Sequence, residues 1–128
     1  MRVRVVVAVI VGFAALILPG CSNPSASTMH SVTFTVTATN GVVQAENISY
    51  MDTSMNVYSF LNVTLPWTLT VSLPVSETQN TVGLSAQAFP LSTGSVLTGT
   101  IADNGSPEAS QSSSQSAIYM SIDIQTLI

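Results

Sequence analysis

The stretch that decides the fold is Val32-Thr33-Phe34-Thr35-Val36-Thr37-Ala38-Thr39, followed by Asn40-Gly41. Apolar residues alternate with threonine at a period of two. A strand with one buried face and one hydroxyl-covered face gives this pattern, and a helix does not. Asn-Gly then marks a turn, because both residues tolerate a positive φ.

The same period returns along the chain. Ile48-Ser49-Tyr50 reads as a second strand, closed by Asp52-Thr53-Ser54, and Asn56–Val63 as a third without a clean face. Pro66 interrupts before a fourth, in which Trp67, Leu69, Val71 and Leu73 alternate with polar residues. Pro74 is expected to end it, since proline suits strand ends and edges. Val82, Leu84, Ala86 and Ala88 mark a fifth strand and Val96–Ala102 a sixth, with Asp103-Asn104-Gly105 as a strong turn signal. Ser110–Ser116 reads as a polar low-complexity loop, and Ile118, Met120, Ile122 and Ile124 as the last strand. The expectation is an all-β domain over residues 31–128, an antiparallel sandwich of about seven strands.

The region before the strands is different in kind. Met1–Arg4 is a short basic segment, and Val5–Leu18 carries no charge. As a helix those 14 residues rise only about 21 Å. A bilayer core is about 30 Å thick, so a permanent span is disfavoured. A basic start, a short apolar run and small residues after it describe a secretory signal. The sole cysteine, Cys21, stands at the end of that run.

Leu18-Pro19-Gly20-Cys21 resembles the lipobox of bacterial lipoproteins. The resemblance implies cleavage between Gly20 and Cys21 and acylation of the Cys21 thiol. Residues 1–20 are then a lipoprotein signal peptide, and residues 21–30 a lipidated cysteine with a flexible linker. Two other readings are an ordinary signal peptide with an incidental cysteine and a short uncleaved anchor. The position of Cys21, its solitude and the Ser/Pro-rich residues after it favour lipidation. Two or three acyl chains on one residue hold a protein at a membrane, whereas a single chain anchors only marginally. The expected location is the extracytoplasmic face of the cell membrane or the cell envelope.

Charge narrows the partners. Only 6% of the 128 residues are charged, against roughly 25% in an average soluble domain. Arg2 and Arg4 are the only Lys or Arg residues, so the chain after Arg4 has six carboxylates and no strong cation. Such a surface cannot neutralise phosphates, which excludes nucleic acid as a partner. It also excludes attraction to anionic headgroups through a basic patch.

No catalytic or metal constellation is visible. The six carboxylates stand singly, no G-x-S-x-G elbow occurs, and His30 has no second His or Cys near it. His30 is expected to be a solvated residue at a strand entry. No enzyme activity, cofactor or metal site is expected. Trp67 has two readings, a core side chain or a partner-binding aromatic. Its place in an inward alternation favours the core.

Beyond the lipobox, Val32-Thr33-Phe34, Ile48-Ser49-Tyr50 with Asp52, Leu65-Pro66-Trp67 before a Thr/Val strand, and Leu97–Ile101 leading into Asp103-Asn104-Gly105 together resemble the MmpS family of small membrane-associated proteins of mycobacteria and their relatives. The resemblance implies an immunoglobulin-like or transthyretin-like sandwich outside the membrane. It also implies a role as accessory to a proton-driven exporter of the resistance-nodulation-division class, which moves lipids or siderophores. Family members often carry a cysteine pair in their last two strands, and Gly99 stands near the place of the first. The alternative function is a surface lipoprotein, a binding module or antigen with no part in transport.

Overall fold

A computed structural model describes residues 27–89, 92–114 and 119–128. Gly20, Cys21 and the signal segment lie outside the described residues. The chain forms β1 (Thr28–Ala38), β2 (Gln44–Met51), β3 (Val57–Thr64), β4 (Trp67–Val75), β5 (Thr81–Ala88), β6 (Val96–Asp103), β7 (Ser106–Ser114) and β8 (Met120–Leu127). Every pairing is antiparallel. One sheet has the order β4-β1-β6-β7 and the other β3-β2-β5-β8. No helix among the described residues is long and apolar enough to cross a membrane.

The two sheets form the sandwich that the alternation predicts. Val32, Phe34 and Val36 of β1 are fully buried, and they meet Ile48, Leu84, Leu97, Ile101, Met120 and Ile122 in one apolar cluster. The threonines of β1 turn to the opposite face. Thr33 and Thr35 sit beside Thr70 and Thr68 of β4, with hydroxyl separations of 3.0 and 3.3 Å. Thr98 and Ser112 repeat the arrangement between β6 and β7 at 2.8 Å. Hydroxyl pairs thus form the polar outer face that charged residues form in most sheets.

Four expectations change. Among the described residues there are eight strands, because Ser106–Ser114 pairs with β6 where a loop is expected from Ser110. A sheet-edge strand can be serine-rich, since it has little to bury. Pro74 does not end β4, which continues to Val75; as an edge strand, β4 tolerates a missing ladder donor. β1 begins at Thr28, inside the stretch assigned to the linker. His30 is half-buried and paired, with Nδ1 2.7 Å from Asp103 Oδ2 on β6.

The turn signals divide into two kinds. Asn104 (φ 47°) and Gly105 (φ 83°) join β6 to β7 as a tight hairpin, and the main chains of Asn104 and Ser31 are bonded at 2.9 Å. Asn40 and Gly41 also have positive φ, yet they carry the chain from one sheet to the other. That crossing is held by the Ser92 hydroxyl, which donates to the Asn40 carbonyl at 2.8 Å.

Candidate binding surface

The two sides of the sandwich differ. β7 and β8 pack against each other across the sheets, and the Asp123 N–H donates to Gln111 Oε1 at 2.9 Å. β3 and β4 edge the sheets on the opposite side, where the inner faces are less covered. Tyr58 pairs with Tyr50 and Phe60 with Ile48, so both aromatic residues project toward the inner face. Ile48 is fully buried, whereas Tyr58 and Phe60 are 44% and 37% exposed.

The aromatic rings form a connected row from core to rim. Phe34 lies 5.0 Å from Tyr50, and Tyr50 lies 4.8 Å from Tyr58 with the planes 17° apart. Tyr50 is 6.3 Å from Phe60, and Phe60 is 5.6 Å from Trp67 on β4. These separations suit offset and tilted aromatic pairs. The inner end of the row is anchored in the core, and its outer end meets solvent.

Trp67 lies between the core and the rim. It is half-buried and packs against the core cluster, as the alternation predicts, and its ring also borders the exposed Phe60. Trp67 follows the cis Leu65-Pro66 peptide bond in the short link between β3 and β4. Sequence reasoning passed over Tyr58 and Phe60. The available signal was their i, i+2 spacing, which puts two aromatic rings on one face of a strand.

Asp52 holds the end of the row. Its carboxylate is buried in the β2–β3 connection, and Oδ1 accepts the Ser54 and Asn56 N–H groups, each at 2.9 Å. Oδ2 accepts Asn56 Nδ2 at 3.0 Å and the Tyr58 hydroxyl at 3.2 Å. Burial pushes the Asp52 carboxyl up, but the hydrogen bonds from Asn56, Ser54 and Tyr58 outweigh it and hold the group below the usual carboxylate range. The bond to Asp52 and the nearby negative charge raise the Tyr58 phenol above its ordinary value. The carboxylate thereby fixes the orientation of a rim aromatic.

Two shallow hollows lie elsewhere. One is on the outer face of β2, β5 and β8 beside Gly83, bordered by Met51, Val57 and Asp123. The other is bordered by Val42, Glu46, Asn62 and Phe89. Among the described residues, no group of three or more His, Cys, Asp or Glu side chains is placed to hold a metal ion. His30 and Asp103 form a pair on the β1–β6 ladder, remote in sequence and away from the aromatic row.

No protein-family model matches the chain, and no curated protein matches it.

Proposed function

We propose that this chain is a lipid-anchored extracytoplasmic accessory protein that engages a membrane partner through the β3/β4 rim. The observation that carries the reading is the incompletely covered row of Tyr58, Phe60 and Trp67 on a domain with no Lys or Arg. Aromatic side chains with one buried end are effective anchors for a protein partner, because they offer large contact area at small loss of side-chain freedom. The proposed activity is binding and not catalysis.

The partner proposed is an exporter of the resistance-nodulation-division class, on the strength of the MmpS-like pieces that include Leu65-Pro66-Trp67. Tethering through acyl chains on Cys21 would keep the rim close to the membrane without a basic patch. A photoreactive residue at Phe60, in the full chain in its native membrane, tests the reading. A large transporter should be recovered from Phe60 and not from Ser112 on β7. Recovery of no transporter from Phe60 would defeat the exporter assignment.

One observation favours the second reading, a surface binding module without a transport role. Gly99 is buried against Ile122, Ile124 and Leu84, and the cysteine that the resembling family often carries near there would require the Ile122 side chain to move. An unchanged export profile in cells lacking the protein would select this reading.

A further inference from the structure

Strand β3, Val57-Tyr58-Ser59-Phe60-Leu61-Asn62-Val63-Thr64, is the edge of its sheet and contains neither charge nor proline. The other three edges carry one or the other: Pro74 in β4, Pro107 and Glu108 in β7, and Asp123 in β8. Proline and charge are the usual guards against strand-to-strand association. β3 has apolar groups on both faces instead. Val57 and Leu61 are 63% and 72% exposed, and Tyr58 and Phe60 stand on the inner side.

The order of these residues is palindromic about Ser59: apolar, aromatic, serine, aromatic, apolar. The palindrome also coincides with the regular part of the strand. Met55 (φ 64°) and Asn62 (φ 54°) have left-handed backbone on either side of it. We propose that β3 pairs antiparallel with β3 of a second copy of this chain, about a two-fold axis through Ser59.

A two-fold axis normal to the sheet keeps inner faces together, so residues directly opposite must share a face. With Ser59 opposite Ser59, Val57 faces Leu61 twice on the outer side, and Tyr58 faces Phe60 twice on the inner side. Apolar and aromatic cross-strand pairs of this kind stabilise antiparallel sheets. The contact is isologous and closes at two copies. Moving the axis to Phe60 would set Ser59 against Leu61 and lose the match. Opposite charges are not needed, and no carboxylate lies within β3 to repel its copy. The pair would join two four-stranded sheets into one of eight strands. It does not depend on the anchor or the exporter, and it leaves the inner faces of both aromatic rows side by side.

The test is thiol crosslinking of the full chain in its native membrane. Residues directly opposite in an antiparallel pair have Cα atoms about 4.5–5.5 Å apart, within disulfide reach. Ser59→Cys, under mild oxidation, should give a covalent dimer well above that of Ser112→Cys on exposed β7. Chains retaining Ser59 set the background from Cys21. Adding Leu61→Lys to Ser59→Cys should lower the dimer at least about threefold, because a charge then meets the partner's apolar Val57. Mixing those chains with copies carrying Val57→Asp and Ser59→Cys should restore it, since the new charges stand opposite one another. Both positions are largely exposed, so these variants keep the core intact. Crosslinking at Ser59 no greater than at Ser112, or an adduct with a different protein in place of the dimer, would overturn the proposal. Dimer formation without the charge rescue would overturn the Ser59 register.

Discussion

Gly99 on β6 faces Ile122 on β8 across the sandwich, and the Ile122 Cδ1 occupies the space a side chain at 99 would need. Ile124 Cδ1 and Leu84 Cδ2 crowd the same point, at 3.1 and 3.3 Å from where a Cβ would stand. The close approach of β6 to edge strand β8 and to β5 is therefore accommodated by the missing side chain at 99. Gly99→Ala should destabilise the domain by about 1–3 kcal/mol through overpacking. Ile122→Val removes the obstructing methyl, so the double variant should recover part of that loss. Urea unfolding of the single and double variants measures both. Equal loss in the double variant would show that the crowding lies elsewhere.

Asp52 should make stability depend on acid. Its folded carboxyl is held below the ordinary value of 3.8 by its hydrogen bonds. The unfolded chain therefore takes up the proton first as pH falls. The contribution is complete above the unfolded value and is lost as pH falls through the lower, folded one. Asp52→Ala should cost about 1–3 kcal/mol near neutral pH and flatten the decline in stability below pH 4 or so. Unfolding curves across that range check it. An unaltered acid limb in the variant would contradict the assignment.

The β6–β7 hairpin rests on two residues with positive φ. Gly105→Ala should destabilise by about 1 kcal/mol, because alanine is strained at φ 83°. Asn104→Ala should cost more than its backbone strain alone. The Asn104 Oδ1 also accepts the Ser31 N–H at 2.9 Å and ties the hairpin to β1. Thermal unfolding of the two variants should rank Asn104→Ala below Gly105→Ala. The reverse order would mean the tie to Ser31 contributes little.

These cases show how far the sequence could be read. The alternations Val32–Val36 and Val82–Ala88 identified β1 and β5, because each buries one face fully. The Asp103-Asn104-Gly105 hairpin was equally plain, since its demand for positive φ is local. β7 left no such trace: Ser106–Ser114 is an edge strand with Ala109 its only partly buried apolar residue. His30 could not be placed correctly because its partner, Asp103, is 73 positions away. The rim was legible at Trp67 alone. β3 has no clean face because apolar residues occupy both, and their exposure follows from its place at an edge, which periodicity does not encode.

The rim aromatics should separate stability from binding. Trp67→Ala removes a ring packed on the core and should destabilise by about 3 kcal/mol. Phe60→Ser, at a partly exposed position, should cost less. Yet Phe60→Ser should reduce recovery of the membrane partner at least as strongly as Trp67→Ala. Urea unfolding combined with crosslinked-partner recovery resolves the two effects. Partner recovery that merely follows stability would deny the rim a binding role.

In the proposed arrangement this domain stands outside the cell, held by acyl chains on a single sulfur, Cys21. The direct measurement is intact mass of the amino-terminal peptide from chain extracted out of native membranes. The expected product begins at Cys21 and carries the mass of fatty acyl groups, and Cys21→Ala releases the protein from the membrane fraction. A product beginning at another residue, or an unmodified Cys21 on membrane-bound chain, would contradict the tether.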